Sequence, residues 1–332
     1  MVHFDPLFRN PHWQAVAGHL WKRDGGESRF PIERRLFQTE PDVRVLVESQ
    51  RPGGPAAGEI VMVHGLEGSG AAGYMRSLSA AALRAGFAAH RFHMRTCGGT
   101  ERLCPTLYHA GLTSDLLAVL RQLRSEGRAP AFLVGFSLGG NVVLKLAGEM
   151  GESARPLVHG VCAVSTPLDL AACAWRIAQP ANRLYQRRFV RRMRARLCAT
   201  GRYQKRNFRG LRSVKDIDDR ITAPSFGFGD AAHYYRTQSA IRYLDGIRVP
   251  VLLIQAKDDT IVPFDIFAAG GAPGALWAWP RVNPWIELLA TEHGGHLGFI
   301  GRRPHRFWAD DAIMEWIVGQ NAMKSASDSS RL

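Results

Sequence analysis

The chain has 332 residues, of which 46% are hydrophobic and 22% charged, and this ordinary balance excludes a fibrous or intrinsically disordered protein. Lys and Arg outnumber Asp and Glu by 43 to 29, yet residues 183–212 alone carry twelve Arg or Lys and no acid, which leaves only +2 of the +14 for everything else. So local an excess argues against a general nucleic-acid coat and for one basic surface feature.

The opening stretch, MVHFDPLFRNPHWQAVAGHLWKRD, has no apolar run of the signal-peptide kind, and no segment offers about 18 uninterrupted apolar residues. A cytoplasmic location is therefore expected. Short apolar runs at 43–48, 59–65, 87–92, 131–136, 158–164, 251–256 and 285–290 read as strands. Helical spacing fills the intervals 74–86, 111–127 and 141–151. Such alternation predicts the α/β class, with a mostly parallel central sheet and helices on both faces. Five cysteines, Cys97, Cys104, Cys162, Cys173 and Cys198, are odd in number and show no CxxC or other metal-ligand spacing, so reduced thiols are expected and neither a metal nor a cofactor.

The strand at 59–65 runs into His64-Gly65-Leu66-Glu67-Gly68-Ser69-Gly70. No GxGxxG or GKS/T completes a phosphate loop there, and a loop presenting backbone donors to a developing oxyanion fits better. The strand at 131–136 ends in Gly135-Phe136-Ser137-Leu138-Gly139, a G-x-S-x-G pattern in which small neighbours leave room for a strained strand-to-helix turn carrying a nucleophile. The N–H groups of Leu66 and Leu138 are the two candidate oxyanion donors. Asp115, after Thr113-Ser114, reads as a helix cap; His64 reads as a support for its own loop, and Arg95 as a structural hydrogen-bond donor.

From about 168 to 243 no strand is predicted, only Arg-rich and aromatic-rich stretches. The expected organisation is a core in two parts, 1–167 and 244–320, with a helical cap inserted over 168–243 and a polar, frayed tail over 321–332. Within the cap, a helix from 183 would align Tyr185, Phe189, Met193 and Leu197 in one row. A second row holds Arg183, Arg187 and Arg191, beside Arg188, Arg192 and Arg196. The apolar row is expected to pack inward and the arginines to face water, where Arg183–Arg212 could also meet an anionic membrane.

Serine is a weak nucleophile without an adjacent base that a third group orients. Beyond 251–256 comes Lys257-Asp258-Asp259, and beyond 285–290 come His293 and His296, so both segments leave strand carboxyl ends, where an open parallel sheet gathers its functional groups. The order Ser, Asp, His is that of α/β-hydrolases. The residues leave open which aspartate and which histidine serve.

Nearly the whole chain resembles the α/β-hydrolases, and within them the YheT-like branch, which also includes mammalian membrane-associated lipid hydrolases. The likeness rests on Asn10-Pro11-His12-x-Gln14, HGLEGS (64–69), Arg95-Thr96-Cys97-Gly98-Gly99, Tyr108-His109-x-Gly111, GFSLGGN (135–141), Asp218-Asp219-x-Ile221-Thr222-Ala223-Pro224, Gly227-Phe228, Tyr234-Tyr235, KDD (257–259) and GGHLGF (294–299). It implies a serine hydrolase of carboxylic esters or acyl lipids, with Ser137 as nucleophile, His296 as base and one of the KDD pair as acid; Asp259 is preferred because D-x-x-V-P after a strand, here Asp259 to Pro263, is the α/β-hydrolase form. His93 and Thr96 depart from the branch's pattern, which bears on the shape of the acyl pocket. An acyltransferase using the same triad, and a non-catalytic binding protein using the basic cap, are the alternatives. The substrate-binding residues and the oligomeric state stay unknown at this level.

Overall fold

The computed structural model describes residues 2–23, 29–267 and 283–329. Eight strands form one sheet: β1 (Glu33–Glu40), β2 (Val43–Gln50), β3 (Glu59–Val63), β4 (Ala88–Phe92), β5 (Ala131–Phe136), β6 (Val158–Val164), β7 (Val251–Ala256) and β8 (Ile286–Thr291). Their order is β1-β2-β4-β3-β5-β6-β7-β8. The pairings β1–β2 and β2–β4 are antiparallel; all others are parallel. Strands β3, β5 and β7 are buried along their whole length, which is why they read as continuous apolar runs. β1 was not expected from sequence. Its residues, ERRLFQTE, pair only with β2, and mainly Phe37 turns into the core, so its apolar signal is weak.

Successive strand residues point to opposite faces. Val61, Leu133, Val161 and Leu253 pack with helices α3 (Ser114–Ser125) and α4 (Leu138–Met150), joined by Leu116, Val119, Val143 and Leu146. Ile60, Phe132, Cys162 and Leu252 face α2 (Gly73–Arg84) and α10 (Trp308–Ser329) through Met75, Leu78, Trp308 and Ile313. The tail expected to fray from 321 instead continues α10 to Ser329. At the other end, α1 (Pro11–Leu20) starts at Asn10, whose side chain accepts from the N–H groups of His12 and Trp13.

Between β6 and β7 the chain is helical: α5 (Leu170–Ala178), α6 (Arg183–Ala199), α7 (Val214–Ile217), α8 (Ala223–Ser225) and α9 (Ala231–Gln238). Helix α6 has no internal Gly or Pro and is stopped at Gly201, whose φ of +78° suits glycine. Val190, Met193 and Leu197 are buried against Leu107, Phe208 and Ile217, while Tyr185 and Phe189 are half-buried. Two arginines depart from the solvated face expected for their row: Arg188 is half-buried, and Arg196 goes further. Arg196 turns inward, its side chain only 10% exposed, and pairs with Glu67.

Candidate active site

The last residue of β5 hands directly to α4 through Ser137, which holds φ +50° and ψ −120°, a left-handed conformation costly for any residue with a Cβ. Glycine on both sides makes that turn possible. A Cβ at Gly135 would strike the backbone of Gly139 and Gly140, and one at Gly139 would strike the carbonyl oxygens of Val63 and His64. Ser137 is thereby held at the carboxyl edge of the sheet, beside the loop that leaves β3.

His296 Nε2 lies 3.0 Å from Ser137 Oγ, and His296 Nδ1 lies 3.0 and 3.2 Å from the two oxygens of Asp259. Asp259 is fully buried at its side chain and accepts from the N–H groups of Ile261 and Val262 at 2.8 and 3.0 Å and from Gln255 Nε2 at 3.2 Å. Those donors fix the orientation of its carboxylate. The neighbouring pair is separate: Asp258 faces His293 Nδ1 at 3.3 Å and accepts from the Gly295 N–H at 2.8 Å, bracing the loop on which His296 sits.

That loop is braced from two more sides. Gln14 of α1 is buried, donates to the Phe8 and Ile300 carbonyls and accepts from the Ile300 N–H at 2.7 Å. Ser165, at the end of β6, accepts from the Leu297 N–H at 3.2 Å. Gln14 belonged to a sequence motif without a role; Ser165 gave no sequence signal, because a lone serine after a strand is common.

The glycine-rich loop after β3 approaches Ser137 closely, since a Cβ on Gly65 would stand 3.1 Å from the Ser137 Cβ. Gly65 N–H donates to the Tyr74 hydroxyl and Glu67 N–H to the Tyr108 hydroxyl, while the Leu66 N–H between them has no acceptor among the described residues. The Leu138 N–H, at the first position of α4, is equally free, as first-turn N–H groups are. His64 sits behind this loop with Nδ1 on the Gly65 carbonyl and Nε2 accepting from Met94 N–H. Burial, the nearby cations adding to it, lowers its pKa to about 3, so it is neutral and structural.

A cavity opens from Ser137, His296, Leu66 and Leu138 under the helices between β6 and β7. Its wall is mostly apolar, with Leu170, Cys173, Ile177, Phe189, Met193, Val214 and Ile261. Polar groups also line it: Tyr235 donates to Asp218 at 2.7 Å, and burial raises the Asp218 pKa to about 6. His109, also on the wall, is pushed down to about 3 by burial and by the Lys145 and Arg95 charges. Neither His93 nor Thr96 lines this cavity, contrary to the expectation that they shape it. Thr96 instead takes φ +59°, the reason glycine suits its position, and its hydroxyl accepts from Arg196 at 2.8 Å.

Asp115 is likewise corrected. It is buried in the first turn of α3, caps nothing, and accepts from Arg95 Nε and Nη2 at 2.6 and 2.8 Å and from Thr39 at 2.5 Å. Among the described residues no group of three His, Cys, Asp or Glu side chains is arranged around a metal position, and no helix is long and apolar enough to cross a membrane.

A model of the alpha/beta hydrolase family matches residues 60–310. The chain is 33% identical over 330 residues to YheT of Escherichia coli strain K12, covering 96% of this chain and 93% of that protein. It is 28% identical over 276 residues to a monoacylglycerol lipase of Saccharomyces cerevisiae, covering 78% of this chain but 58% of that longer protein. Among solved structures, an esterase of Pyrococcus furiosus superposes with a TM-score of 0.58 at 19% identity, over 87% of this chain and 91% of that one, a likeness of fold alone.

Proposed function

The chain belongs to the alpha/beta hydrolase family, and from that premise we propose that it hydrolyses carboxylic esters of acyl chains through an acyl-enzyme on Ser137. One observation carries the reading: the continuous hydrogen-bonded chain Ser137, His296, Asp259 at the mouth of an apolar cavity. Ser137 Oγ attacks the ester carbonyl as His296 Nε2 takes its proton. Asp259 fixes the imidazole tautomer and stabilises the imidazolium. The negative oxygen of the tetrahedral intermediate sits on the Leu66 and Leu138 N–H groups, which have no acceptor among the described residues. His296 then gives its proton to the departing alcohol, and a water deprotonated by the same imidazole releases the acid.

The helices of 168–243 act as a cap whose underside holds the acyl chain, and apolar burial of about 0.8 kcal/mol per methylene favours acyl esters over bare acetates. A second property belongs to the outer face of α6. Arg183, Arg187, Arg191, Lys205 and Arg212 line one outward groove with no acid among its lining residues, which favours peripheral attraction to anionic surfaces.

The test is labelling by a fluorophosphonate together with turnover of p-nitrophenyl esters from acetate to palmitate. Native protein is expected to be labelled at Ser137 and to prefer longer acyl chains than acetate. Ser137→Ala is expected to lose on the order of 10⁶ in kcat while keeping its fold. Folded native protein that neither labels nor turns over any ester would leave a binding protein in its place, and acyl transfer to glycerol in preference to water would make it a transferase.

A further inference from the structure

Ser137 and His296 open onto two spaces. One is the apolar cavity under the helices. The other is a groove between α1, the loop running from Gly65 to Gly73, and α6. Its character is different. Arg188 and Arg192, one helical turn apart on α6, line it together with the serine, and no Asp or Glu lines it among the described residues.

Arg188 is held in place. It is half-buried, and its Nη2 donates to Nε2 of His19 on α1 at 2.6 Å. Burial, then the Arg188 and Arg192 charges, lower the His19 pKa, so this imidazole is a neutral acceptor and not a competing cation. Neither arginine has an ion-pair partner among the described residues, in contrast with Arg95 and Arg196, which are each neutralised by carboxylates. Two guanidinium groups on adjacent turns repel one another, and an anion between them removes that repulsion while matching their planar donor forks. Solvated arginines need no position in a groove beside a reactive serine.

We propose that this groove binds an anionic group, a phosphate or carboxylate, on the alcohol side of the ester, with Arg188 and Arg192 holding the anion while the acyl chain occupies the apolar cavity. The inference rests on the ester-hydrolase reading and names the substrate class it takes. An ester carbonyl at Ser137 then lies between an apolar and a cationic compartment, so substrate polarity orients the molecule before chemistry begins.

The test compares 1-butyrylglycerol with 1-butyrylglycerol 3-phosphate, which differ only in the phosphate, using the full chain. Native kcat/KM is expected to be at least about tenfold higher for the phosphate ester, mainly through KM, with that advantage shrinking in 1 M salt. In R188Q/R192Q the ratio between the two esters should fall toward one, and in R188K/R192K it should fall part of the way, because charge remains and the fork is lost. The same pair with oleoyl chains in micelles separates the sources: a phosphate preference in both pairs assigns phosphate esters generally, and one confined to micelles assigns a lipid head group. A native ratio of one in both the butyryl and the oleoyl pair, or a ratio that the folded Gln variant leaves unchanged, overturns the groove while leaving ester hydrolysis intact. Failure of native protein to turn over either butyryl ester or to be labelled at Ser137 removes the hydrolase reading, and the groove with it.

Discussion

Arg196 Nε stands 2.9 Å from both carboxylate oxygens of Glu67, joining the helical segment to the residue that follows Leu66. Glu67 itself holds φ +55°, and its carboxylate also accepts from the Tyr108 hydroxyl at 3.2 Å. The loop carrying the free Leu66 N–H is thus gripped from above by α6. Removing one partner strands a buried charge, so Glu67→Gln is expected to cost about 3 kcal/mol of stability. E67M/R196M, with no charge left to desolvate, should recover most of that stability in urea titrations yet keep a kcat depressed roughly tenfold, since a displaced oxyanion donor raises the barrier. Recovery of both by the double variant would limit the pair to a structural part.

The two adjacent aspartates have different partners. With Asp259 on His296 and Asp258 on His293, Asp259→Asn is expected to lower kcat by about 10⁴ by favouring the wrong imidazole tautomer. Asp258→Asn removes a brace of the His296 loop and should cost far less, about tenfold. Steady-state kinetics on a short p-nitrophenyl ester separate the two, and the reverse ranking would move the orienting role to Asp258.

Asp218 makes stability depend on pH. Burial raises its pKa from 3.8 to about 6, so the folded state binds this proton more tightly than the unfolded chain. Its contribution is fully present below about pH 4 and is lost as pH rises through 6. Asp218→Asn keeps an acceptor for the Tyr235 hydroxyl and removes the penalty of ionisation. The variant should therefore gain on the order of 2 kcal/mol over native at pH 7.5, and nothing at pH 4. Urea unfolding at both values checks this; an equal effect at the two pH values would contradict the assigned cause.

The outer face of α6 makes its own claim. Arg187 and Arg191 are exposed and line the basic groove away from Ser137. Each arginine near an anionic bilayer contributes about 1 kcal/mol, so R187E/R191E should weaken binding to phosphatidylserine vesicles by well over tenfold at low salt. Turnover of a small neutral ester should respond little to salt in either protein. Equal vesicle sedimentation by variant and native protein would reduce these residues to a solvated face.

Much of this protein is written in local pattern. Continuous apolar runs announce β3, β5, β6 and β7, because strands buried on both faces admit little else. The glycines around Ser137 are legible for a related reason: a strained turn tolerates no Cβ at Gly135 or Gly139, so the constraint falls on adjacent residues. Other features had no local trace. β1 is polar because it pairs on one side only, and Asp115 looks like a cap until the fold sets Arg95, 20 residues away, against it. The preference for Asp259 and His296 rested on the family pattern alone, since residue type could not separate Asp258 from Asp259, one position apart. Their directions differ because the turn after β7 buries one against Ile261 and Val262 and leaves the other beside Gly295. The partners lie 37 residues apart for Asp259 and His296 and 159 for Ser137 and His296. Packing of the whole sheet, rather than any neighbouring residue, brings them within hydrogen-bonding distance.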